Sequence, residues 1–223
     1  MTTIPGHYRA EMGLVKHQLR KNRMRLLPLI IAILAISVTL TYGEDKPPES
    51  QPTVYSEPIL LTSAGQAADI LIMKGLCMRA GLTVKVQPNA VADSLEGIKT
   101  LILVAGGSSK GLGAAKIDVG GEEKRIAALT TAAAKRKIPI LTFHIGGEPR
   151  RGALSDPFND LAAKGAEYIL VAGDGDADGF FKKIAESKKA RYQHVEKSLD
   201  VIQVLKELFG KNTVAPLVDP ENR

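Results

Sequence analysis

The sequence predicts an α/β fold: a single doubly wound, flavodoxin-like, mostly parallel sheet of about five strands, preceded by one N-terminal transmembrane helix. Three observations carry this. From Pro58 onward, short apolar runs alternate with helical patterns. The runs LILV (101–104), ILTF (140–143) and YILV (168–171) are apolar throughout, as expected of parallel strands covered on both faces. Finally, Leu26–Tyr42 (LLPLIIAILAISVTLTY) contains no charged residue.

Residues 1–25 read as a basic cytoplasmic tail, with six Lys or Arg against one acid, Glu11. Residues 26–42 follow as a signal-anchor. Seventeen helical residues span about 25 Å, near the lower limit for a bilayer core. Basic residues precede the segment, and Glu44, Asp45 and Glu49 follow it, so the positive-inside rule puts everything after Gly43 outside the cytoplasm. A cleaved signal peptide is the alternative, since Ala35-Ile36-Ser37 offers small residues at a suitable spacing. The domain would then be secreted or periplasmic. Residues 43–57 (GEDKPPESQPTVYSE) are rich in Pro, Ser and charge and read as a linker. The α/β domain is expected over 58–210, with a C-terminal tail at 211–223.

The formal charge of +6 does not point to nucleic acid. From Val54 onward 23 basic residues face 20 acidic ones, so much of the excess lies beside the apolar segment. The single cysteine, Cys77, excludes an internal disulfide and a cysteine-rich metal site. Aromatics are 4% of the chain, so aliphatic side chains must fill the core.

The expected strands are Ile59–Thr62, Thr83–Gln87, Thr100–Val104, Ile138–Phe143 and Tyr168–Val171, in the order 2-1-3-4-5. The expected helices are Gln66–Ala80, Glu122–Lys135, Asp156–Ala163, Gly179–Ser187 and Leu199–Phe209. In the last, Val201, Val204, Leu205 and Leu208 form an i, i+3, i+4, i+7 stripe, and Gly210 supplies a stop.

In open α/β sheets ligands bind beyond the carboxyl ends of the strands. The loops expected there are Ser63–Gln66, the glycine-rich Gly106–Lys116, His144–Gly152 and Gly173–Gly179. The second resembles a nucleotide loop, but it follows the third strand, no helix is expected to open at once, and Tyr192 and Lys197 are five apart rather than four. Neither a dinucleotide loop nor a Walker loop fits. Asp174-x-Asp176-x-Asp178-Gly179 opens like a calcium loop, but Ala185 occupies the twelfth position. Asp178 is expected instead to cap the following helix.

What survives is a generic anion site. Gly106, Gly107 and Gly111 free backbone N–H groups; Ser108, Ser109 and Lys110 add donors. Arg150 and Arg151 offer planar forks, with His144 at the strand end. The bland alternative is that one arginine pairs with Glu148 or Asp156 and the glycines only make turns.

The runs GGSSKGLGAAKID (Gly106–Asp118), HIGGEPRRGALSD (His144–Asp156) and DGFF (Asp178–Phe181) resemble an uncharacterised bacterial family of exported or membrane-anchored α/β domains. The resemblance runs from Pro58 to about Val195. It implies an exported doubly wound fold and no activity or ligand.

The leading expectation is therefore a membrane-tethered extracytoplasmic domain binding a small anionic ligand, a carboxylate or phosphate, and serving a transporter or sensor partner. No catalytic residue, metal or cofactor is assigned. One alternative is an extracytoplasmic scaffold that binds another protein. Another is a hydrolase using Ser108 or Ser109 with His144 as base and Asp156 or an aspartate of the fourth loop as orienter, although no G-x-S-x-G elbow is present.

Overall fold

The computed structural model describes residues 55–211. The expected basic tail, signal-anchor and most of the linker, and all but the first residue of the C-terminal tail, lie outside them. Among the described residues no helix is long and apolar enough to cross a membrane.

Six parallel strands form one sheet: β1 (Ile59–Ala64), β2 (Val84–Val86), β3 (Thr100–Ala105), β4 (Ile140–His144), β5 (Tyr168–Ala172) and β6 (Arg191–Val195), in the order β2-β1-β3-β4-β5-β6. All residues of β1, β3, β4 and β5 are buried, which is why their sequences run apolar without alternation. Ser63 pairs with Val104, Val104 with Phe143, and His144 with Val171, so the strand ends expected to converge lie along one edge.

Among the described residues six α-helices flank the sheet: α1 (Asp69–Arg79), α2 (Ser109–Ala115), α3 (Val119–Lys135), α4 (Asp156–Gly165), α5 (Phe180–Lys188) and α6 (Val201–Leu208). Alternate strand residues feed two cores. Ile59, Leu61, Ile102 and Phe143 pack with Ile70, Met73 and Cys77 of α1 and Val204 and Leu205 of α6. Leu60, Leu101, Leu103 and Val171 pack with Ile126 and Leu129 of α3, Phe158 of α4 and Phe181 of α5. Cys77 is fully buried, and burial pushes its thiol up to about 12.

Three expectations need correction. The sheet has a sixth strand, β6, whose sequence RYQHV lacks an apolar run because an edge strand is only partly covered. The stretch expected as a long glycine-rich loop is mostly helix α2: Ser108 caps it by accepting from the Gly111 N–H at 3.1 Å, and Lys116 closes it in the left-handed region. Helix α3 begins at Val119, not Glu122. Asp118 caps it through the Gly121 N–H at 2.6 Å, so Gly120 and Gly121 lie in its first turn rather than before it.

Candidate functional site at the carboxyl edge of the sheet

The sheet order reverses between β1 and β3, and the loops leaving these two strands lock together. Gly65 (φ +106°) and Gln66 (φ +61°) turn the chain out of β1. Gly65 O accepts from the Ser108 N–H at 2.9 Å, and Gln66 forms an antiparallel bridge with Gly107. A Cβ on Gly111 would stand 1.9 Å from Gln66 O, and one on Gly107 2.9 Å from Ser155 Cα. The Gly107 N–H donates to Ser155 Oγ at 3.0 Å. These glycines admit a neighbouring loop, so at Gly107 and Gly111 close backbone approach serves the protein itself.

Beneath this turn lies a buried charge pair that the sequence reading missed. Glu122, fully buried, accepts from the Gly65 N–H at 2.9 Å, from Gln66 Nε2 at 3.1 Å to each oxygen, and from Arg125. Arg125 continues to Ala90 O and Ser63 O. Burial alone would raise the Glu122 carboxyl. The bonds and charge of Arg125, with the Gly65 and Gln66 donors, bring it below its usual range instead. The only sequence signal was an acid and a base three apart on one helix, which is common on exposed helices.

The two adjacent arginines of the third loop are held differently. Arg151 Nε donates to Asp156 Oδ1 at 2.8 Å. Nη1 donates to Gly175 O at 2.7 Å and Asp178 Oδ1 at 2.9 Å, and Nη2 to Asp178 Oδ2 at 3.0 Å and Asp156 Oδ2 at 3.4 Å. A guanidinium has five N–H groups, and here each has an acceptor. Its carbon also sits 4.5 Å from the centre of the Phe180 ring. The Arg151 hydrogen bonds hold the Asp178 carboxyl at about 2, and the same carboxylates raise the arginine itself. Arg151 is thus a clamp between the third and fourth loops.

Arg150 is less committed. Nε donates to Asp69 Oδ2 at 2.8 Å and Nη1 to Gly107 O at a long 3.4 Å; its side chain is 29% exposed. Its aliphatic stem lies over two glycines: a Cβ on Gly146 would meet Arg150 Cγ at 2.3 Å, and one on Gly106 would meet Arg150 Cβ at 3.3 Å. Behind it, Asn159 Nδ2 donates to Arg150 O at 3.1 Å, while the buried Asn159 Oδ1 has no partner among the described residues.

His144 ends β4 fully buried, its ring 4.8 Å from that of Phe181. Nδ1 lies 3.1 Å from Ala105 O and Nε2 3.1 Å from Gly147 O. Burial lowers its pKa below the usual histidine value, against the pull of both carbonyls. A neutral ring donates to one carbonyl only. Neither Ser108 nor Ser109 hydrogen-bonds to it: the Ser108 hydroxyl faces Gly111, and Ser109 and Lys110 are exposed in the first turn of α2.

In the fourth loop it is chiefly Asp176, not Asp178, that caps α5, accepting from the Phe181 and Lys182 N–H groups at 2.7 and 3.1 Å and from the Tyr192 hydroxyl at 2.6 Å. Asp174 accepts from the Glu148 N–H at 2.8 Å. No group of acidic, histidine or cysteine side chains suited to a metal ion occurs among the described residues. A pocket of about 300 Å³ lined by Lys137, Pro139, Gly165 and Glu167 lies where β4 begins, at the opposite edge from these loops.

A parallel α/β sheet whose carboxyl edge carries an interlocked polar network defines the class of domain. The chain belongs to the DUF6305 family, a domain of unknown function, whose model matches residues 56–209. No curated protein matches it. Among solved structures it is similar to AlinE4, an SGNH-hydrolase family esterase, at 11% identity over 74% of this chain and 82% of that one, with a TM-score of 0.28. A serine-to-alanine mutant of that esterase gives 12% identity over 69% and 92%, with a TM-score of 0.27. Likeness at this level carries no argument about activity.

Proposed function

We propose that the domain binds a small anionic solute, a carboxylate or phosphate, at the carboxyl edge of the sheet beside the interlocked β1 and β3 loops, with Arg150 as the residue that reads the anion. We further propose that an N-terminal anchor at Leu26–Tyr42 holds it at the membrane outside the cytoplasm, within reach of a transporter or sensor partner.

The observation that carries the anion reading is the contrast between the two arginines. Arg151 has an internal acceptor for every donor, whereas the part-exposed Arg150, at the switch in strand order, has one firm bond and one long one. Its Nη edge suits a two-pronged contact with a carboxylate or phosphate. Lys110, exposed in the first turn of α2, adds a second positive charge from these loops. His144 and Arg151 belong to the supporting frame, not to the ligand contact.

Isothermal titration of phosphate and a panel of carboxylates is the test. Arg150→Lys keeps the charge and loses the fork, so it should weaken binding at least about ten-fold, the equivalent of one charge-assisted hydrogen bond. Absence of binding to the wild type at millimolar anion, or unchanged affinity in Arg150→Lys, sinks the proposal.

A further inference from the structure

We infer that the outward face of α1 docks on the anionic lipid surface of the membrane that the N-terminal apolar segment enters. This is independent of the anion site and rests on the anchor reading of Leu26–Tyr42. Helix α1 (DILIMKGLCMR) is apolar on more than its inner side. Ile70, Met73, Leu76 and Cys77 face the core, yet Leu71, Ile72 and Met78 are 66%, 53% and 63% exposed. At 100° per residue these three share one outward arc with Gly75, on which a Cβ would meet nothing within 4 Å. A surface helix ordinarily turns polar side chains to water there.

The charges on that arc choose the occupant. Lys74 and Arg79 are exposed beside the apolar residues, while the helix's one acid, Asp69, is buried and paired with Arg150. A second copy packing isologously through α1 would bring two copies of the same cationic patch together with no acid on the helix face to offset them. An anionic lipid surface instead attracts them, while their aliphatic stems lie along it and the apolar side chains enter the headgroup boundary.

The chain also joins the domain beside the end of this helix. The Thr83 N–H, four residues past α1, donates to the Glu57 carboxylate at 2.7 Å, and Lys211 pairs with that carboxylate at 3.0 Å. Twelve residues, 43–54, separate Tyr42 from Tyr55, thirteen steps with a reach of at most about 47 Å. Docking is then an intramolecular event at high effective concentration, for which a three-residue apolar contact suffices.

The test uses the full chain in lipid nanodiscs carrying nitroxide-labelled lipid. A fluorophore is placed at Ile72→Cys or, as a control, at Lys188→Cys on the opposite face of the sheet. Quenching should be strong at position 72 and weak at 188, should grow with phosphatidylglycerol content, and should disappear in Leu71→Glu/Met78→Glu, whose circular dichroism stays unchanged. Lys74→Gln and Arg79→Gln should each lower the docked-to-free ratio about five-fold. Equal quenching at the two positions in a chain retained by the discs overturns the inference and leaves the anchor standing. Water protection at position 72 with cross-links to a second copy overturns it in favour of self-association. Failure of the chain to enter the discs overturns both anchor and docking. The anion titration is read on its own in every case.

Discussion

Arg150 and Arg151 are neighbours in sequence and opposites in circumstance. Arg151 joins Asp156 to Asp178 and Gly175 O from a side chain 11% exposed. Arg151→Ala should therefore cost about 2 kcal/mol of stability in urea unfolding, because the carboxylates and the carbonyl lose their donor. Arg150→Ala removes one firm bond but leaves the buried Asp69 carboxylate without it, and should cost about 1 kcal/mol; a loss larger than that of Arg151→Ala would remove the distinction between clamp and reader. His144 gives a second test at this scale. Its folded pKa is lowered by burial, so below the ordinary histidine value the unfolded chain takes up the proton first. Stability contributed by the neutral ring should be complete above about pH 6.5 and decline as the pH falls below it. Denaturant unfolding of the wild type and His144→Gln across pH 5–8 should show this slope in the wild type alone.

At the scale of elements, α2 shows two kinds of glycine in one short helix. Gly111 has Gln66 O where a Cβ would stand, whereas Gly113 has nothing within 4 Å. Gly111→Ala should push the β1 and β3 loops apart and destabilise by several times the effect of any exposed substitution. Gly113→Ala should be neutral or stabilising by up to about 1 kcal/mol, since alanine is the better helix former. Comparison of urea midpoints checks both, and a tolerated Gly111→Ala would refute the close packing. These glycines also explain why the helix is hard to read from sequence. Local propensity argues against a helix over SKGLGAA, and only the neighbouring loop explains why position 111 has no side chain. Strand β6 was overlooked for a related reason. At the sheet edge Arg191, Gln193 and His194 face partly or wholly to water, so the run of apolar residues that marks β1, β3, β4 and β5 never forms.

Across the whole molecule, the buried Glu122–Arg125 pair ties α3 to the end of β1 and couples the fold to acid. The Glu122 carboxyl is held below its unfolded value, so its contribution is complete above about pH 4.5 and is lost as the pH falls through the lower folded value. Asp178 acts in the same direction between its ordinary value and about 2. Glu122→Gln, which leaves Arg125 buried without a counter-charge, should destabilise by about 3 kcal/mol at neutral pH and flatten the acid limb of the stability curve. An unchanged acid limb would mean that the pair does not govern acid unfolding. For the chain as a whole, a reporter fused after Arg223 should be active only outside the cytoplasm, with the full-length protein in the membrane fraction. A mature form beginning near Val38 or Glu44 would replace the anchor by a cleaved signal, and cytoplasmic activity would remove both.

The sequence by itself determined the parallel α/β architecture, because strands buried on both faces must be apolar at every position. It also determined which loops meet at the carboxyl edge, because parallel strands all end on the same side. The roles of the loop residues were decided only by the tertiary structure. Whether Arg151 meets a ligand or two internal carboxylates depends on Asp178, 27 residues away. Whether the glycines at 107 and 111 serve a ligand or a neighbouring loop depends on Ser155 and Gln66, contacts that local pattern does not carry. The outward apolar arc of α1 was likewise hidden in the sequence. A helix apolar on most sides reads as buried, and only the sheet on which it packs decides which of its stripes is left to face outward.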